Sequence, residues 1–320
     1  MALSDMQVFN EYLKEATYET LGQMIDKFNG SSAGSIVLTG MDFEGDFFER
    51  SFYAAIHDSQ RRVDRYAAQA SVSSTDLSEL KESAVKIAGG FGPIRFEPGQ
   101  MTYIKKSTAE AVAVISQQLS EAILQDQLNS SIAALVAAIS NQATATNDVS
   151  GGAAVTYGAM NTAHALFGDR SSNLVAQVMR GAVYHKLVGQ NLTNTPQLFQ
   201  AQNVLVVDIL GKPVIVTDAP ALYEAGSPNK DKVLSLATGA ATVMDGSDVI
   251  TNIETSNGQS RIETTMQADY TFGLALKGYT WDTANGGKSP TDAEIATGSN
   301  WDLTMTDIKH TAGVITIGDA

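Results

Sequence analysis

The 320-residue chain carries 35 acidic and 21 basic side chains, a net charge of −14, with 43% of its residues hydrophobic and only 18% charged. A pI near 4.6 excludes a strong grip on nucleic acid, which needs a basic footprint, and the absence of cysteine excludes disulfide scaffolds, thiolate metal sites and cysteine nucleophiles. So few charges, on a chain long enough for one large or two modest domains, point to a surface partly hidden against partners.

Residues 1–29 place Met6, Phe9, Leu13, Leu21, Met24 and Phe28 at spacings of mostly three and four, the pattern of an amphipathic helix. Asp5, Glu11 and Glu15 stand where a signal peptide needs a basic cap and an apolar block. The longest apolar run, Ile132 to Ile139, is far short of the roughly 20 residues of a membrane span, so a soluble chain is expected. Half of the net charge falls within residues 1–60, and the sign then reverses at Arg61, Arg62 and Arg65. The following stretch, through AVKIAGGFGPIRF, predicts two extended arms with a Gly/Pro-rich return.

From Ser107 to Ser150 there is neither Gly nor Pro, and Ser107 with Glu110 has capping-box spacing. Apolar residues recur at Val112, Ile115, Leu119 and Ile123, then one residue out of step at Leu124, Leu128, Ile132, Leu135 and Ile139. This predicts a helix from 107 to 141, roughly 50 Å long, whose two halves pack against different neighbours. Beyond it, TYGAMNTAHALFGD reads as helix, SNLVAQVM as strand and RGAVYHKLVG as helix, and NVLVVDILGKPVIVTDAP as a hairpin about Gly211. Short strands follow at KVLSLAT, ATVMD and DVITNIE. Tyr270, Phe272, Leu274 and Leu276 then alternate as a strand with one buried face, and the chain closes with strand-like GVITIG.

No catalytic, cofactor or metal constellation emerges. Gly30 to Gly34 match the G-x-S-x-G string with Ser32 at its centre, but a helix precedes and a strand follows, the reverse of a nucleophile elbow. Gly287-Lys288-Ser289 matches the end of a phosphate loop, yet Asp282 stands where its first glycine belongs. His57, His164, His185 and His310 form no ligand pair, and the acids of DFEGDFFE at 42–49 lack calcium-loop order.

The order of elements resembles the major capsid proteins of tailed bacteriophages with the Hong Kong 97-type fold. The segments that carry the likeness are AVKIAGGFGPIRF at 84–96, the helix from Ser107, SNLVAQVMRGAVYHKL at 172–187, VLVVDILGKPVIVTDAP at 204–220 and RIETTMQADYTFGLALKGYTWD at 261–282. The resemblance implies an α+β chain with an N-arm at 1–60 and an extended loop at 61–105 lying over a neighbouring subunit. It places a peripheral domain with a spine helix at 106–150 and 256–282, an axial domain at 151–255, and a C-terminal extension at 283–320 on the peripheral domain. It implies homo-hexamers and homo-pentamers closing an icosahedral shell around double-stranded DNA, assembled in the host cytoplasm with a separate scaffolding protein, a portal and decoration proteins, without a membrane or cofactor. The inter-subunit contacts it suggests are Arg61, Arg62, Arg65, Lys81, Lys86, Phe91 and Pro93; in some members a loop lysine cross-links to a neighbour's asparagine, and Lys81 and Lys86 lie in that region. A cellular nanocompartment shell shares the fold, and a mixed α/β enzyme using Ser32 is the remaining alternative.

Overall fold

The computed structural model describes residues 16, 25, 28–30, 32–39, 47–53, 60–74, 76–77, 79–96, 108–194, 208–209, 211–245, 249–258 and 260–320. The helix expected over 1–29 and the acids at 42–46 fall mostly or wholly outside them. In chain order the elements begin with β1 (Ile36–Thr39), β2 (Phe47–Tyr53), β3 (Glu79–Phe96) and the long helix α1 (Thr108–Ser140). Next come β4 (Thr146–Asp148), α2 (Tyr157–Ala165), β5 (Leu174–Met179), α3 (Gly181–Asn194), β6 (Asp208–Ile209), β7 (Lys212–Val216), β8 (Tyr223–Glu224) and β9 (Lys230–Ala237). The chain ends through β10 (Ala241–Asp245), β11 (Ile250–Ser256), β12 (Glu263–Leu276), β13 (Tyr279–Trp281), the single-turn α4 (Asp292–Ile295), β14 (Trp301–Leu303) and β15 (Gly313–Asp319).

Two sheets result. The first has the order β1-β10-β12-β3-β2, with β11 alongside β12. Its centre is β12, whose alternate residues Thr264, Met266, Ala268, Tyr270, Phe272, Leu274 and Leu276 are all buried, as a period of two demands of a strand with one face on the core. The second has the order β4-β15-β9-β5-β7-β6, with β8 beside β9. Its hairpin β6–β7 turns at Gly211, whose φ of +73° suits glycine.

The long helix joins the sheets. With 33 residues it is about 50 Å long. In its first half burial follows one stripe, Ser116, Leu119, Ser120, Ile123, Gln127 and Ser130, whereas Ile132, Ala134, Leu135, Val136, Ala137, Ala138 and Ile139 are buried nearly all round. Residues 114–140 are long and apolar enough in composition to cross a membrane, but their apolar surface is largely taken up inside the protein. One continuous core runs from Leu135 and Ile139 to Phe272 and Leu274 of the first sheet and to Leu234, Leu236 and Val314 of the second. Trp281 and Trp301, edge to face at 4.8 Å, belong to it as well, on the short β13–β14 pair.

Two expectations change. The Gly/Pro-rich stretch at 89–93 is no return: β3 runs straight through it as 18 residues, antiparallel to β12 from Val85 to Phe96. The register slips between Met266 and Ala268, and Gly92, at φ +102°, absorbs the irregularity. The partner arm is instead β2, which pairs with the first third of β3 from Phe47↔Val85 to Tyr53↔Glu79. The tail, expected as an extension beside the spine, divides. Residues of α4 and β14 do contact α1, but β15 enters the middle of the second sheet, parallel to β4 and antiparallel to β9. Because both faces of that sheet are covered there, Val314, Ile315, Thr316 and Ile317 are all buried, and a strand buried on both faces shows no alternation to mark its place.

Candidate functional site

The segment 60–74 leaves the sheet between β2 and β3, and every one of its residues is exposed. None of Arg61, Arg62 and Arg65, which it brings within five positions, meets a carboxylate among the described residues. An Asx turn shapes the middle of the segment: the Tyr66 amide donates to Asp64 Oδ1 at 2.9 Å. Around the arginines lie large apolar side chains that sequence reading passed over, Val63 at 62% exposure, Tyr66 at 101%, Val72 at 57% and Leu77 at 59%. The available signal was their presence in a stretch with no helix or strand period to bury them.

The remaining candidates separate. Lys81 and Lys86 both lie on β3, Lys81 exposed opposite Ser51 and Lys86 half-buried opposite Gly273. Pro93 is exposed further along the same strand. Phe91, expected to meet a neighbour, is engaged by its own chain: its half-buried ring stacks on Tyr270 at 5.6 Å, because the register of β3 on β12 sets it beside that ring. The Tyr270 hydroxyl in turn donates to Asp126 Oδ2 at 2.6 Å, fastening the β3–β12 ribbon to the middle of α1. Burial raises the Asp126 carboxyl above its ordinary range, the Tyr270 bond opposes that shift, and the charge of Asp292 adds to it.

At the base of the ribbon opens a cavity of about 440 Å³ lined by Glu82, Thr238, Thr242, Ala275, Lys277 and Met305. Glu82 accepts the Gly278 amide at 3.2 Å through one carboxylate oxygen, while Lys277 Nζ donates to the Thr238 carbonyl at 3.0 Å.

Groups suited to bond-making chemistry do not gather. Ser32 is fully buried in the turn before β1, its hydroxyl 3.1 Å from the Ile36 carbonyl, which it holds as a turn residue. A serine–histidine pair does occur, His164 Nε2 to Ser235 Oγ at 2.9 Å, but Ser235 is 1% exposed and lies under α2 in the second sheet, out of reach of a solute. Burial first and the Lys212 ammonium second push the His164 imidazole down to about 4, so it is neutral at pH 7. Among the described residues no group of three or more His, Asp or Glu is placed to hold a metal ion. What the exposed parts can do is adhere.

Comparison with known proteins agrees. A family model described as Gp13-like, major capsid protein 13-like, matches residues 5–315. No curated protein matches the chain. Among solved structures, the chain resembles the cyanophage Pam1 capsid asymmetric unit with a TM-score of 0.55 at 11% identity, covering 89% of this chain and 88% of that one. It resembles Mycobacterium phage Bobi with a TM-score of 0.53 at 11% identity, covering 88% and 89%. The head structure of Helicobacter pylori bacteriophage KHP40 gives 0.51 at 11% identity, covering 89% and 87%. At such identities the likeness is one of fold.

Proposed function

The chain belongs to the Gp13-like family of major capsid proteins, and on that premise we propose that its copies assemble as hexamers and pentamers into an icosahedral shell enclosing double-stranded DNA. The fold is the mixed α+β fold of Hong Kong 97-type phage capsids. The observation that carries the finer reading is the segment 60–74, exposed throughout, with three arginines that meet no acid of their own chain among the described residues. A monomeric protein gains nothing from such a segment, whereas one laid over a neighbour buries apolar area and offers its arginines to the acidic surface of a chain with net charge −14.

In this reading residues 1–60 serve as the arm, the ribbon of β2 and β3 carries the extended loop, α1 with β12 forms the peripheral body, and the second sheet forms the axial body with β15 built into it. Each exposed ion pair contributes about 0–1 kcal/mol, so adhesion rests on many repeated contacts and the charges mainly set register. The acidic balance keeps packaged DNA from sticking to the wall. A scaffolding protein, a portal and decoration proteins are the proposed partners, and the host cytoplasm the proposed place of assembly.

The test is replacement of Arg61, Arg62 and Arg65 together by Glu. Electron microscopy and light scattering are expected to show loss of closed particles, with the circular dichroism of a folded subunit retained. Unchanged particle yield would remove the arginines from assembly.

A further inference from the structure

We propose that Tyr66 of one copy seats in the cavity beside Glu82 and Thr242 of the next copy, a contact that rests on the shell-building reading and names where its loop grips. Tyr66 is fully exposed, and the Asx turn to Asp64 fixes the backbone that carries it. A fully exposed tyrosine flanked by exposed Val63, Val72 and Leu77 is the composition of an interface anchor, since aromatic side chains supply large contact area at low entropic cost. The cavity offers the complementary shape: about 440 Å³, within the range that holds organic groups, with walls of Thr238, Thr242, Ala275 and Met305.

Charge matches too. Lys277 is turned to the Thr238 carbonyl, and the second carboxylate oxygen of Glu82 takes no hydrogen bond among the described residues. Arg65, next to Tyr66 in sequence and without an acidic partner among those residues, supplies the cation. In the single chain the cavity stands open while Tyr66 is fully exposed, so the two surfaces do not satisfy each other within one copy. Two different patches of one chain that fit each other give a head-to-tail contact, the kind that closes into rings.

The cysteine-free chain allows a direct test. Tyr66→Cys and Thr242→Cys are combined in one chain, assembled particles are treated with a short bismaleimide, and the products are resolved on a denaturing gel. A ladder of two chains and more, several-fold stronger than from a control pairing Tyr66→Cys with exposed Asp302→Cys, is expected. Cross-linking within single chains only, or a ladder no stronger than the control in intact particles, overturns the seat of Tyr66 and leaves the shell reading standing. A wild-type chain that forms no rings or particles overturns both. As a second measurement, Tyr66→Ala is expected to lower particle yield about tenfold or more while Tyr66→Phe retains it; equal yields from both, with folded subunits, contradict the proposal.

Discussion

At position 164 a single buried side chain sets how the subunit responds to acid. The unfolded chain binds a proton on this imidazole below about pH 6.5, whereas in the folded state burial and Lys212 hold the value at about 4. The unfolded state therefore takes up the proton first, and stability falls as pH drops through that window. The loss reaches about 3 kcal/mol at its lower end, an order-of-magnitude figure from 1.36 kcal/mol per pH unit. His164→Gln keeps a polar partner for Ser235 and removes the titration. Denaturant unfolding at pH 7 and pH 4.5 is expected to show a smaller difference in the variant than in the wild type. None of this was legible in the sequence, where His164 reads as one of four isolated histidines; its partner Ser235 stands 71 positions away, brought near only by the docking of α2 on the second sheet. Phe91 was misread for a related reason. Its place in a Gly/Pro-rich stretch says exposed loop, and only the pairing of β3 with β12 shows the stack on Tyr270.

Among the elements, α1 was the most legible, because a stretch without Gly or Pro and with recurring apolar positions admits no other reading. The strand β12 was equally clear from its alternation. What neither pattern gives is the difference between the halves of α1, one-faced before Ser130 and enclosed after it. That difference predicts that Leu135→Ala, at a fully buried position, costs about 2–5 kcal/mol. Gln118→Ala, on the exposed side of the first half, is expected to stay within about 0.5 kcal/mol of wild type; thermal or denaturant unfolding of the subunit measures both. The clasp between ribbon and helix makes a second prediction at this scale. Tyr270→Phe leaves the half-buried Asp126 carboxylate without its donor, at a cost of about 1–3 kcal/mol near neutral pH. Burial and Asp292 already favour the protonated form of Asp126, and loss of the tyrosine bond favours it further. The deficit is therefore expected to shrink as pH falls and the carboxyl becomes neutral, which a pH series of unfolding curves would show.

For the whole molecule, folding and assembly draw on different residues. The second sheet holds β15 at its centre, so the last strand closes a core to which β4, β5 and β9 also contribute. The sequence announced a strand in GVITIG but not its neighbours, because a strand buried on both faces, with Thr316 inside, pairs by topology rather than by pattern. The segment 60–74 is the opposite case: it is exposed throughout, and the strands it joins are already held by the Tyr53↔Glu79 end of their own pairing. Removing residues 313–320 therefore exposes apolar edges of β4 and β9 and is expected to yield no folded subunit, judged by a lost cooperative transition. Replacing residues 60–74 by a short Gly/Ser linker removes no buried area, and the subunit is expected to unfold within about 0.5 kcal/mol of wild type. Electron microscopy of that linker variant is expected to show dispersed subunits in place of shells. A linker variant that still closes particles would place the adhesive surface elsewhere, on the ribbon of β3 and β12 or on the arm.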